Sequence, residues 1–86
     1  MIDAIVAWDL EDDPQGNVQH IAEHGITMEE VEEVLLNENH PVGESRSSGR
    51  PITLGETRTG RRIAVVWEEA LDNPLIIRPV TAYEVA

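Results

Sequence analysis

Seven residues from His24 to Glu30 confine this chain more than any other stretch, because they end one helix and start another with almost nothing between. Gly25 is free to take the left-handed conformation that closes a helix. Thr27 is placed to cap the next helix through its hydroxyl, and Glu30 sits three residues on, where a capping box wants a carboxylate. Ile26 before the cap and Val31 at the fourth helical position are spaced as a hydrophobic staple. Such a cap is worth about 1 kcal/mol, so the spacing predicts two short helices meeting at a sharp, locally specified corner.

The remaining elements follow from period and punctuation. Ala4, Val6 and Trp8 continue an alternation begun by Ile2, predicting a first strand that Glu11-Asp12-Asp13-Pro14 breaks. Asp13 is a fair N-cap with Pro14 at the first helical position, and Val18, Ile21 and Ala22 form one narrow apolar stripe. The second helix is expected over 28–36, with Val31, Val34 and Leu35 inward and residues 37–41 as its stop. Strands are expected over 50–57, 62–68 and 75–82, with a weak extra strand over 41–46 and a loop at Ser47-Ser48-Gly49. Thr57-Arg58-Thr59-Gly60 and Asp72-Asn73-Pro74 supply hairpin turns. Pro79 cannot donate to a ladder, which favours an edge position for the last strand. The predicted order is β-α-α-β-β-β(-β), an α+β fold in which two N-terminal helices pack on a mainly antiparallel sheet, as one domain over residues 1–86.

Composition narrows the function. The chain lacks cysteine, which excludes disulfides and thiolate zinc sites. No apolar run approaches the ~18 residues of a membrane span, and a start without basic residues is unlike a secretory signal, so a cytoplasmic protein without membrane partners is expected. The formal net charge of −11 is unevenly spread. Residues 1–40 hold eleven acids and no Arg or Lys, whereas the rest balances six acids against Arg46, Arg50, Arg58, Arg61, Arg62 and Arg78. Such polarity repels RNA from one face and admits it at another; acidity shared with a salt-adapted proteome explains the charge equally well.

Several residues, in this order, resemble the BrnT toxin family within the wider group of RelE-like ribonuclease toxins. They are Trp8-Asp9, Asn17, His24-Gly25-Ile26-Thr27 with Glu29-Glu30, Leu54-Gly55-Glu56-Thr57, Gly60-Arg61-Arg62 before an apolar strand, and Arg78 with Thr81-Ala82. The resemblance implies a RelE-like fold, metal-independent cleavage of an RNA substrate without a cofactor, and a cognate antitoxin as protein partner in a type II toxin–antitoxin system. Two positions depart from the family: Glu23 and Tyr83 stand where members commonly carry basic residues.

Cleavage of that kind needs a base for the 2′-hydroxyl proton and cations for the phosphorane. Arg61, Arg62 and Arg78 are the candidate catalytic cations, because a guanidinium pairs bidentately with phosphate oxygens. Antiparallel pairing through the Asp72 turn is expected to keep Arg62 and Arg78 near each other. Arg46 and Arg50 flank the polar loop as candidate RNA-binding residues, and His24 or His20 is the candidate base. In the competing reading these arginines balance Glu44, Glu56, Glu68 and Glu84 across the sheet, and His24 is a helix-terminal residue. His20-Ile21-Ala22-Glu23-His24 spells the inverted zinc-protease pattern, but the helix stops at once and no third ligand follows, so no metal is expected. The carboxylates Glu29, Glu30, Glu32, Glu33 and Glu38 read as a solvated helix face, and Trp8 and Trp67 as core rather than base-stacking residues. The alternative function is a non-catalytic protein-interaction module, for which a basic protein or a second copy of the chain, as a homodimer, is an admissible partner.

Overall fold

Helix α1 (Asn17–Glu23) closes in a Schellman motif, with Ile26 N–H donating to Ile21 O over 3.1 Å and Gly25 N–H to Ala22 O over 2.9 Å. Gly25 takes φ +74°, the left-handed geometry that a side chain would strain. Thr27 then caps α2 (Met28–Leu35) in a complete capping box, its hydroxyl accepting from Glu30 N–H and Glu30 Oε1 accepting from Thr27 N–H. Ile26 and Val31 are both buried in the same cluster, so the corner forms as its sequence requires. The computed structural model describes residues 3–37, 41–46 and 48–85. Ile2 of the expected first strand, Glu38 of the acidic face, residues 38–40 of the helix stop and Ser47 of the loop lie outside the described residues.

The other elements are β1 (Ile5–Val6), β2 (Val42–Glu44), β3 (Pro51–Glu56), β4 (Arg62–Leu71) and β5 (Ile76–Glu84). They form one sheet in the order β1-β5-β4-β3-β2, antiparallel throughout except for the parallel pair of β1 with β5. The α+β class and the two-helix, mainly antiparallel layout thus match the sequence. Both helices lie on one face, α1 against β5 and α2 against β3 and β4. There Ile21, Ile26, Val31, Val34 and Leu35 meet Ile63, Val65, Trp67, Ile77 and Ala82. Each such side chain contributes roughly 1.5–3 kcal/mol by leaving water. Trp67 donates its indole N–H to Thr53 Oγ1 over 2.9 Å, which satisfies the polar atoms of both buried residues.

Three boundaries differ from expectation. The first strand pairs only at Ile5 and Val6, because the chain beyond it turns to α1: Ala7 N–H reaches Ile77 O, but Asp9 N–H goes to Asn17 Oδ1. Asp13 is not the N-cap. It forms a turn, its carboxylate accepting from Gln15 N–H, while Gly16 stands at the cap position and Asp9 Oδ2 accepts from Asn17 N–H across the gap. A Cβ at Gly16 would lie 2.8 Å from that of Asp9, so the cap works only with glycine there. The last strand, finally, is not at the edge. Pro79 is tolerated because β1 pairs β5 only as far as Ile77; beyond it, Asn17 Nδ2 donates to Pro79 O over 3.0 Å in place of a strand.

Asn17, 2% exposed, therefore joins β1, α1 and β5 through Asp9 N–H, Ala7 O and Pro79 O. Asn17→Ala leaves those buried groups unpaired and is expected to lower stability by about 3 kcal/mol, whereas Thr27→Ala costs about 1 kcal/mol; urea unfolding of the two variants checks the ranking.

Candidate functional site

Strand alternation separates the arginines before any question of chemistry arises. Arg61 precedes β4 and reaches toward the helices. Its Nη1 donates to Gly25 O over 3.0 Å and to Glu30 Oε2 over 2.8 Å, and its Nη2 donates to Glu84 Oε1 over 3.2 Å. The hydrogen bond to Glu84, with those to Glu30, raises its pKa further above the ordinary arginine value. The guanidinium is thereby occupied on both sides by carboxylates and a helix-terminal carbonyl.

Arg62 alternates to the opposite, helix-free face, exposed and facing Glu56 across the β3–β4 ladder. Arg78 lies on that face too, but at the far end, opposite Glu68. Five residues of β4 lie between Arg62 and Glu68, about 20 Å of strand, so the expected proximity of Arg62 and Arg78 is not realised. The antiparallel register instead sets Val85 beside Arg62, with Val85 N–H donating to Arg62 O over 2.8 Å. Arg46 and Arg50 are both exposed at the β2–β3 end, and Arg50 Nε lies 3.5 Å from Glu68 Oε2. Among the described residues neither Arg46 nor Arg62 is in an ion pair.

The histidines lie on the helical side. His20 and His24 are exposed, their rings edge to face with centroids 5.5 Å apart, and His20 Nδ1 is 3.9 Å from Glu23. His24 follows α1 directly and adjoins Gly25, which Arg61 contacts. Arg61 and His24 thus belong to one corner, while Arg62 and Arg78 face away from it. Among the described residues, no three His, Asp or Glu side chains are grouped so as to hold a metal ion. Cross-strand charge balance accounts for much of the rest: Arg61 with Glu84, and Arg78 and Arg50 with Glu68.

The helix-free face has its own order. Register aligns Ile5, Ile76 and Leu71 in one row, then Arg78 and Glu68 in line with Arg50, then Thr81, Val66 and Ile52, then Tyr83, Ala64 and Leu54, and last Arg62 with Glu56. Apolar rows are exposed on both sides of the charged one: Ile5 53%, Leu71 47%, Leu54 45% and Tyr83 40%. The charged row continues to Asp9, whose Oδ2 lies 2.6 Å from Arg78 Nη2. Reading across the sheet, the signs run Arg50 plus, Glu68 minus, Arg78 plus, Asp9 minus.

The helical layer carries a second feature. An open groove of about 380 Å³ between α1 and α2 is lined by Val18, Ala22, Ile26, Thr27, Met28 and Glu29. The segment that forms it, residues 17–35, bears the carboxylates Glu23, Glu29, Glu30, Glu32 and Glu33 and no Lys or Arg of its own, with Arg61 and Arg58 reaching Glu30 and Glu33 from outside it. Sequence reasoning read Glu29 and its neighbours as a solvated face without the groove, since Ala22 and Met28 were assigned no partner surface. It also missed Asp9, which caps α1 and binds Arg78; the eight-residue spacing from Asp9 to Asn17 is visible in the sequence but carries no period that marks it.

No protein-family model, no curated protein and no solved structure matches the chain.

Asp9 and Arg61 give two expected outcomes. The backbone hydrogen bond from Asn17, aided by Arg78, holds the Asp9 pKa below its ordinary value of 3.8. Ionised Asp9 thus favours the fold above the ordinary aspartate range, and this contribution is lost as pH falls through the lowered pKa. Asp9→Asn should destabilise at neutral pH and flatten the acid limb of a pH–stability curve. Arg61→Met should lower the melting temperature and speed hydrogen exchange at the α1–α2 corner, while Arg62→Met leaves both unchanged.

Proposed function

We propose that this chain is a RelE-like domain of the BrnT type that works as a non-catalytic interaction module, its helical layer docking a basic segment of a partner protein. The carrying observation is the α1–α2 groove: apolar on its floor, with Glu29 in its lining, between helices that carry five carboxylates and no Lys or Arg of their own. A cationic amphipathic segment matches both properties, its apolar side against Val18, Ala22 and Met28 and its charges toward the surrounding carboxylates. In the toxin–antitoxin setting that the resemblance implies, that segment belongs to the cognate antitoxin.

The residues that carry the resemblance support the fold half of this reading. Trp8-Asp9, Asn17, Gly25, Thr27, Glu30, Arg61 and Arg78 are engaged in scaffold contacts: the indole of Trp8 donates to Glu32 over 3.4 Å, and the others form the two clasps described above. Ribonuclease action draws less support. Arg61 is engaged by Glu30, Glu84 and Gly25, Arg78 is held by Asp9, and the two histidines lie on the other face from Arg62.

Induced expression in a bacterial host, with growth followed and new RNA 5′ ends mapped, tests this. Normal growth and unchanged RNA at good soluble expression are expected. Growth arrest with new cleavage sites that vanish in the Arg62→Ala variant would overturn the module in favour of the nuclease.

A further inference from the structure

The helix-free face of the sheet is a second surface, and its composition points elsewhere than to a basic partner. Its exposed side chains are apolar in rows above and below a central charged row that is internally neutral, and Arg62 with Glu56 closes the face at one end. A sheet with one face bare of helices normally packs that face against another layer. A basic protein gains nothing special here, because the anionic residues of the chain lie mainly in the layer behind the sheet.

We propose that this face docks against the same face of a second copy of the chain, forming a two-fold symmetric dimer of stacked sheets. The charged row is the first argument. Its order across the sheet is Arg50, Glu68, Arg78, Asp9, alternating in sign. A two-fold axis passing between Glu68 and Arg78 reverses that order in the other copy. Glu68 then meets the other copy's Arg78, and Arg50 meets the other copy's Asp9, so every juxtaposition is attractive. An isologous interface needs a self-complementary pattern of this kind.

The apolar rows follow the same operation. Each apolar row faces the same row of the other copy in reversed order, so that Tyr83 lies over the other copy's Ala64 and Leu71 over its Ile76, which removes exposed apolar surface from both copies at once. Area is the second argument. The molecule measures 30 × 28 × 26 Å, so one flat face offers on the order of 700 Å², close to the ~800 Å² per partner of a standard stable interface.

Charge is the third. Two chains of net charge −11 repel unless their anionic regions are kept apart. Stacked sheets stand about 10 Å apart with the helical layers outside them, which sets those layers about 30 Å from each other, roughly four Debye lengths at physiological salt. Any dimer built through the helices would bring the carboxylates of α1 and α2 of each copy together instead. The face-to-face arrangement also leaves both α1–α2 grooves open to solvent, one at each end of the assembly.

Sedimentation equilibrium of the purified full chain, across micromolar to high micromolar concentrations and without RNA or any partner protein, tests the dimer separately from the proposed function. The wild type is expected to sediment with twice the chain mass. Leu54→Asp combined with Tyr83→Asp should yield a monomer with unchanged circular dichroism, since both side chains are already partly exposed. Glu29→Lys, on the helical layer, should leave the dimer intact. If the wild type is monomeric throughout, or if the Leu54/Tyr83 variant still dimerises while Glu29→Lys does not, the proposal fails. Should the double variant lose its fold, Glu68→Arg supplies the same reading, because it sets like charges face to face across the axis.

Discussion

The guanidinium of Arg61 ties the helical layer to the sheet at the place where the chain has the least freedom to adjust. Only Gly25, Ile26 and Thr27 separate the last described turn around His24 from the start of α2, so the direction of α2 is set by the cap itself. A cap fixes local direction but not position against another layer. Arg61 supplies the position: it binds the carbonyl that α1 leaves unsatisfied at Gly25, the carboxylate that completes the capping box at Glu30, and Glu84 at the end of β5. The hydrophobic core beneath then packs in the one register this arrangement permits, with Val31, Val34 and Leu35 over Ile63 and Val65. Across the molecule, Asn17 and Asp9 do the corresponding work for α1, so two polar clasps hold the two helices side by side on one face of the sheet.

Both clasps consume cations, and this bears directly on function. A chain with six arginines and no lysine has few positive groups to spare. Arg61 and Arg78 are committed to carboxylates in the scaffold, Arg58 lies 3.5 Å from Glu33, and Arg50 is shared with Glu68. A phosphate-binding site needs several cations converging on one spot, with their donors unsatisfied until the ligand arrives. Here the cations are dispersed over two faces and both ends of the sheet. The uncompensated charge on this molecule is negative and lies over the helices, where it favours a positively charged partner.

How much of this was legible in the sequence depended on the range of the interaction. The α1–α2 corner was readable almost atom by atom, because a Schellman motif and a capping box are encoded within a few consecutive residues. The strands of the C-terminal half were readable as elements, since Ile63 to Trp67 form an apolar run between clear turns, although bulges let β4 and β5 run further than the alternation indicated. The start of α1 was misread for a physical reason: Asp13 satisfies the local rule for an N-cap, but Asp9, brought in by β1, takes that role from a distance. Pro79 misled in the same way, because the rule that proline avoids paired strands holds for the local ladder, and the ladder with β1 stops two residues earlier. The arginines were identified correctly as the scarce chemistry of the chain. Their placement was not readable, since a one-residue step between Arg61 and Arg62 sends the two side chains to opposite faces of the sheet.

That one-residue step also divides the labour of the two faces. On the helix side, Arg61 closes the corner and Arg58 lies beside Glu33, and the remaining surface is left acidic and grooved. On the other side, four charges form a neutral alternating row through an apolar field, a pattern that has no use for a solvated surface and adds nothing to the core. An exposed face composed only for the stability of the monomer would place polar side chains at Leu54, Leu71, Ile5 and Tyr83, as antiparallel sheets with one wet face ordinarily do. The retained apolar rows, set about a charge row that reads the same after reversal and inversion of sign, are what a surface needs to recognise itself. Segregating the anionic residues into the opposite layer removes the repulsion that would otherwise oppose such recognition, so the uneven charge of the sequence and the bare face of the sheet have a common physical explanation.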